Sequence, residues 1–306
     1  MSGDVKTLAR RDWLVGALGG LGLLAGAQAQ TAAGSAHKHA AAASTTSTKP
    51  RIGLALGGGS ARGFAHIGVL KSLDQAGIKA DVIAGTSAGA LVGAFYAAGW
   101  TPWQIEEFFL QVRESDVADF SAAGKRGLLT GDALATLVQA KLKGAQIEAL
   151  PIPFAAIATD LKTGEMQMLR KGSVADAVRA SCSLPGIFVP KAVDGRELVD
   201  GGLVSPLPVG AARKMGCDIV IAVDVSAQPQ PSDLSGLYEV ILQSFDIMGR
   251  ALSNQEALQA DLLIRPETGA YSSSNFNVRR ELIQAGYVAA QGRLGEIKRK
   301  VGTTAR

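Results

Sequence analysis

DVIAGTSAGALVGAFYAAG, residues 81–99, is the stretch on which the reading of the fold turns. Asp81–Gly85 is a short apolar run of strand length, and from Ser87 a second run of small and apolar residues continues at helical length towards Gly99. Between them Gly85-Thr86-Ser87-Ala88-Gly89 fits G-x-S-x-G. A strand that turns this sharply into a helix holds the corner residue in a strained conformation and crowds the positions two residues to either side. Glycine at Gly85 and Gly89 removes that crowding. The Ser87 hydroxyl is then expected above the strand ends at a helix N-terminus, where developing negative charge is favoured. A helix start built of small residues has the same composition, so the neighbouring motifs must decide.

Working outward, Arg51–Leu56 reads as a buried strand ending at Gly57-Gly58-Gly59. Ala61 to Ala76 shows helical spacing of Phe64, Ile67, Val69-Leu70 and Leu73, closed by Gly77. Thr101-Pro102-Trp103 is a cap followed by proline in the first helical turn. Further helices are expected at Asp132–Leu142, Ser173–Ser181, Leu237–Leu258 and Val278–Val301. Strands are expected at Pro153–Thr159, Glu165–Leu169, Asp218–Val225 and Asp261–Arg265, with a hairpin of Val189–Val193 and Arg196–Val199 about Asp194-Gly195. The 219–225 run, IVIAVDV, lacks alternation and suits a strand covered on both faces. This order predicts an α/β fold, a central mostly parallel β-sheet flanked by helices on both faces. No internal repeat is visible, and no linker divides residues 50–306.

The first residues read differently. Arg10-Arg11 precedes an uncharged run, 13–27, that is short of the ~20 apolar residues of a membrane-spanning helix. It ends in Ala27-Gln28-Ala29, a small-x-small cleavage pattern. Residues 1–29 are therefore expected to be an export signal that partly matches the twin-arginine pattern; an uncleaved membrane anchor is the alternative. Export implies a periplasmic location, with membrane association left open. Residues 30–49, mostly Ala, Ser and Thr, read as a flexible linker in which His37 and His39 are solvated.

Composition narrows the chemistry. Of 306 residues 47% are apolar and 19% charged, too apolar for a disordered chain. Two cysteines and three histidines leave little for a metal cluster, and no metal or cofactor is expected. A net charge of +4 is too weak to argue for nucleic acid. A serine nucleophile needs a base, and outside the linker His66 is the one histidine left. A buried or capping role suits His66 better, so the base is expected to be a carboxylate. Asp200-Gly201-Gly202 is the best candidate, closing an apolar run where partial desolvation raises proton affinity. An ordinary Asp-Gly turn is its bland alternative. Asp160 and Asp224 are further buried candidates that read as structural. In Gly57-Gly58-Gly59-Ser60-Ala61-Arg62-Gly63, consecutive glycines let N–H groups face one concavity, suited to an oxyanion or a phosphate. The spacing fits a dinucleotide loop poorly. Arg62 could brace the loop or meet an anionic head group.

These three motifs, in this order, resemble the patatin-like phospholipase family. The likeness runs from about Arg51 to Asp224 and includes ARGFAHIGVL at 61–70, ASCSLPG at 180–186 and Asp200-Gly201-Gly202 continuing to Pro206. The resemblance implies a catalytic dyad of Ser87 (nucleophile) and Asp200 (general base) without histidine. It implies an oxyanion hole at Gly57, Gly58 and Gly59, supported by Arg62, Gly85, Gly89, Gly201 and Gly202. An acyl-enzyme route is implied on phospholipid, lysophospholipid or simpler fatty-acyl esters. Ser60-Ala61 adds one residue before Arg62 relative to plant-type members. An acyltransferase, or a non-catalytic lipid- or nucleotide-binding module on the same scaffold, are the competing functions.

Weaker signals remain. Trp100, Trp103, Phe108 and Phe109 could line an acyl groove or touch a bilayer, with core packing as the default. Arg293, Lys298, Arg299, Lys300 and Arg306 could attract an anionic membrane, giving peripheral contact, with a solvated helix end as the default. Cys182 and Cys217 either pair or stay as two buried thiols.

Overall fold

β1 (Ile52–Leu56) is buried along its whole length and lies at the centre of the sheet. It appears in a computed structural model that describes residues 49–117, 119, 126–226, 236–272 and 274–302. The expected export signal, nearly all of the expected linker and Arg306 lie outside the described residues.

After β1 the chain makes a 3-10 turn over Ser60–Phe64 and then α1 (Ala65–Gln75). The helix expected from Ala61 thus starts four residues later. Its first turn is wound tighter, with Arg62 N–H donating to the Gly59 carbonyl at 3.1 Å. Next come β2 (Val82–Thr86), α2 (Ala88–Ala97) and α3 (Pro102–Gln111). Thr101 and Gln104 form a reciprocal capping box on α3, as the Thr-Pro pair suggested. Then follow β3 (Gly127–Leu129), α4 (Asp132–Lys141), β4 (Phe154–Asp160), β5 (Met166–Leu169), α5 (Val174–Ser181), β6 (Gly186–Phe188), β7 (Lys191–Val193) and β8 (Arg196–Asp200). The chain continues through α6 (Val209–Lys214), β9 (Ile219–Val223), α7 (Leu237–Ala257), β10 (Leu262–Ile264) and α8 (Arg279–Lys300). The β7–β8 hairpin turns on Asp194 and Gly195, at φ 48° and 73°, the paired positive angles of a tight hairpin. β3, β6 and α6 were not expected from sequence. The two strands are three residues each and form their own parallel ribbon; such pieces are too short to display a period.

The main sheet runs β10-β9-β1-β2-β4-β8-β7, with β5 also on β4. Its β10-to-β4 half is parallel, and β5, β8 and β7 add antiparallel pairings. It is therefore a mixed, mostly parallel sheet. Alternate residues feed two cores. Leu54, Ile83, Phe154 and Ile221 face α1, α2, α3, α5 and α8. Ala55, Ala84, Ala155 and Ala222 face α6 and the end of α7. Such continuous burial on both faces is what the unalternating strands required.

One feature of register places the site. β5 occupies one edge of β4 across Ala156–Thr159. Along the other edge β2 pairs as far as Thr86↔Ile157, and β8, running the opposite way, pairs from Asp200↔Ala158. β2 and β8 thus meet end to end on β4. The residue after Thr86 and the last residue of β8 are brought together although 113 positions separate them.

Candidate active site

Ser87 sits at the corner between β2 and α2 with φ 53° and ψ −121°, a conformation rarely adopted by a residue with a side chain. The corner is closed by near-contact of backbones. A Cβ on Gly85 would lie 2.5 Å from the Gly89 carbonyl oxygen, and one on Gly89 would lie 2.1 Å from that of Leu56. Both glycines therefore have the role the motif predicted. The Ser87 carbonyl accepts from Ala90 and Leu91, starting α2. Its N–H donates to Ser181 Oγ at 2.8 Å, and Ser181 Oγ donates to the Ile157 carbonyl at 2.5 Å.

Asp200 is 4% exposed. Its Oδ2 accepts the Ser87 hydroxyl at 2.7 Å, and Oδ1 accepts the Gly202 N–H at 2.8 Å. Its backbone is held on both sides, by the Ser183 carbonyl at 2.9 Å and by Thr159 Oγ1 at 2.8 Å. Gly201 packs against the Ile157 carbonyl, so close that a Cβ would stand 2.3 Å from it. Among the described residues Asp200 has no ion-pair partner. Burial pushes its carboxyl up to about 6, against smaller lowering by the Ser87 and Gly202 hydrogen bonds. A carboxylate so placed is a better proton acceptor than a solvated one and is still mostly ionised at neutral pH.

The glycine loop needs a correction. Gly57 N–H donates to the Val223 carbonyl at 3.0 Å and Gly58 N–H to the Pro206 carbonyl at 2.8 Å. Those two amides hold the loop in place and are not free for an oxyanion. Gly59 N–H has no partner among the described residues, and neither has Ala88 N–H, the first of α2. Gly58 still passes close by: a Cβ there would be 3.5 Å from Ser87 Cβ. The additional residue, Ser60, is where the loop turns, at φ 52°. Arg62 is 2% exposed; it reaches the Val225 carbonyl at 3.2 Å and Asp246 of α7 at 2.7 Å. Of its two expected roles the structure gives it the bracing one. His66 is fully buried, its Nε2 2.7 Å from the Gly57 carbonyl oxygen. Burial lowers its pKa to about 4, which keeps it neutral, and it makes no hydrogen bond to Ser87.

Ser87 and Asp200 stand in the wall of a cavity of about 430 Å³. Phe64, Leu91, Leu134, Ile187 and Phe188 line it, α7 contributes Leu242 and Phe245, and Arg113, Arg250 and Arg279 add cationic groups. Of the aromatic cluster only Phe109 reaches this cavity; Trp100 and Phe108 pack on Phe95 in the core, and Trp103 is exposed. A larger depression of about 640 Å³ beside β5 and β7 contains none of these motif residues.

The other candidates resolve as structural. Asp160 caps the turn at Lys162 and Thr163 and meets Arg196 at 3.5 Å. Asp224 is bound by Arg265 at 2.9 and 2.7 Å. Cys182 and Cys217 are both free thiols. Cys182 lines the cavity, where burial and the Asp200 carboxylate push its thiol pKa up. Arg293 pairs with Glu296 and Lys300 with Asp261, as at an ordinary solvated helix end. Sequence reasoning assigned no role to Ser181 or Ser183, nor to Asp246 and Glu256 on α7. Glu256 accepts from Ser205 Oγ at 2.5 Å and Leu207 N–H at 2.8 Å, fixing the segment that holds Gly58. The ASCSLPG segment was the signal for the two serines; nothing local marked the acids.

The fold and site define a class: an α/β protein with a serine on a strand-to-helix corner, hydrogen-bonded to a buried carboxylate. The family model for patatin-like phospholipase matches residues 54–213. The chain belongs to the patatin-like phospholipase family, whose members are lipid hydrolases. It is 38% identical over 187 residues to an uncharacterized NTE family protein of Mycobacterium bovis, a match covering 59% of this chain and 50% of that protein. It is 38% identical over 192 residues to patatin-like phospholipase domain-containing protein 6 of Homo sapiens, covering 60% of this chain and 14% of that protein. The chain thus matches half or less of the length of these curated relatives. In fold it is similar to VipD from Legionella pneumophila, with a TM-score of 0.58 and 16% identity, over 81% of this chain and 67% of that one.

Proposed function

We propose that the chain is a serine acyl hydrolase that cleaves fatty-acyl esters of phospholipids or lysophospholipids, with Ser87 as nucleophile and Asp200 as general base. The observation that carries this reading is the 2.7 Å hydrogen bond from Ser87 Oγ to Asp200 Oδ2 in the wall of an apolar cavity. Ionised Asp200 takes the hydroxyl proton while Oγ attacks the ester carbonyl. The N–H groups of Gly59 and Ala88 are assigned to the oxyanion, donors already fixed before reaction. Collapse of the tetrahedral species forms acyl-Ser87, and Asp200 returns the proton to the departing alcohol. Water then gives a proton to Asp200, attacks the acyl group and releases the fatty acid, and Ser87 regains its proton.

The apolar cavity suits an acyl chain. Peripheral contact with a lipid surface belongs to the same reading. It is supported by exposed Leu237, Val240, Ile247 and Met248 on α7, the helix whose other face lines the cavity. Export to the periplasm is proposed on the pattern of residues 1–29. The test is mass spectrometry after a fluorophosphonate probe, with hydrolysis of a fatty-acyl nitrophenyl ester measured in parallel. The expected result is adduct on Ser87, and turnover that Ser87→Ala removes. Turnover unchanged in Ser87→Ala would sink the reading. Bound lipid with no turnover in the parent protein would favour a binding module instead.

A further inference from the structure

Ser87 leaves β2 at a point where its N–H loses the sheet. Thr86 is the last residue of β2 in register with β4, opposite Ile157. One residue later φ is positive and the parallel ladder has stopped. The N–H that a continuing strand would have given to its neighbour still needs an acceptor. Ser181, fully buried at the C-terminal end of α5, supplies it. Its Oγ accepts from Ser87 N–H at 2.8 Å and donates to the Ile157 carbonyl at 2.5 Å. A hydroxyl can do both at once, so it acts as an inserted rung between β2 and β4. Two residues on, the Ser183 carbonyl accepts Asp200 N–H at 2.9 Å. One short segment therefore grips the backbones of both partners in the 2.7 Å contact. That segment is itself anchored: buried Arg179 bonds Ser183 Oγ and the carbonyls of Thr130 and Val189.

We infer that Ser181 is a positioning residue for the proposed reaction: its hydroxyl holds the Ser87 backbone in the strained corner that keeps Oγ on Asp200. The inference rests on the reading of Ser87 as nucleophile. Ser181 Oγ bonds the Ser87 N–H and the Ile157 carbonyl, and Ser181 is not among the residues lining the cavity, so its loss changes alignment rather than substrate binding. Small misplacements of a reacting group cost about 10²-fold in rate.

The experiment compares the parent with Ser181→Ala and Ser181→Cys for kcat, KM, the pH profile and the rate of fluorophosphonate labelling at Ser87. Ser181→Ala is expected to lower kcat and labelling about 10²-fold, with KM within about threefold. The acid limb of its profile should stay at about 6 or move up slightly, because Asp200 stays buried while the lowering hydrogen bond from Ser87 weakens. Ser181→Cys, a weaker donor and acceptor, should fall between Ala and the parent. A folded Ser181→Ala with parental kcat overturns the inference. So does a loss of rate in which the acid limb drops to the ordinary carboxylate range, since that marks collapse of the site. If Ser181→Ala does not fold, Ser181→Cys decides: slower supports the inference, parental activity overturns it. A parent that neither turns over ester nor labels at Ser87 instead sinks the proposed function, so the two failures are distinct.

Discussion

Asp200 and Asp224 are two buried aspartates, at the C-terminal end of β8 and just past that of β9, 4% and 1% exposed. Burial drives both carboxyls upward, yet they end on opposite sides of the ordinary value. For Asp224 the hydrogen bonds from Ser226 and Arg265, and the charge of Arg265, outweigh desolvation and take its pKa down. Among the described residues the Asp200 carboxylate receives a hydroxyl and one amide, and desolvation wins, raising it to about 6. The proposed base is thus set apart from Asp224 by having no cation beside it among the described residues. An arginine on Asp200 would have stabilised the charge and weakened the base.

Four measurements test the contrast between the two aspartates. Asp200→Asn keeps the shape and removes the proton acceptor. Ester turnover should fall by about 10³-fold or more, and a loss under tenfold would mean another group serves as base. Next, kcat/KM of the parent should fall about tenfold per pH unit below 6, as Asp200 takes up its proton. An acid limb near 4 would place an unrecognised positive charge at the site.

The third measurement is stability. The Asp200 pKa is higher folded than unfolded, so the folded state binds more protons between about pH 4 and 6. Stability contributed by this group is present at low pH and lost as pH rises through 6. Asp200→Asn should match the parent near pH 4 and exceed it by up to about 3 kcal/mol at pH 8 in urea unfolding. Equal stability at pH 8 would contradict an uncompensated buried charge. Last, Asp224→Asn should lose roughly 1–2 kcal/mol at neutral pH, discounted because Arg265 is partly exposed and can be solvated. Its kcat should stay within about tenfold of the parent; a collapse of activity with the fold intact would erase the distinction between the two aspartates.

His66 shows why the contrast is best read in difference measurements. Its pKa is lowered to about 4 by burial, so its contribution to stability rises with pH over the window in which that of Asp200 falls. The two offset in the parent. Comparison with Asp200→Asn isolates one of them.

Much of this arrangement was legible in the residues themselves. The strand–corner–helix at 81–99, the Thr101 cap, the Asp194-Gly195 hairpin and the buried run at 219–225 all lie where local pattern put them. Each is decided by neighbours within a few positions: periodicity, a cap, a positive φ. The aspartate was legible for the same reason, as a charge closing an apolar run before two glycines. The short β3–β6 ribbon and α6 were not, because three to six residues carry no period and their stability comes from what they pack against.

The glycine loop at 57–59 marks the boundary. Consecutive glycines announced free amides, and Gly57 and Gly58 spend theirs on Val223 and Pro206. Those carbonyls arrive from well over a hundred residues away, and no local signal carries them. The same holds for the bracing of Arg62 by Asp246 and for the hydroxyl of Ser181 under the corner. Residue type and nearest neighbours were enough to single out the candidate side chains Ser87 and Asp200 and the turns that carry them. Folding in three dimensions set the rest: β2 and β8 run head to head along β4, and among the described residues no cation pairs with Asp200 and the Gly59 and Ala88 amides have no partner. Such properties come from strand register and from long-range hydrogen-bond partners, and these exist only once the sheet has closed.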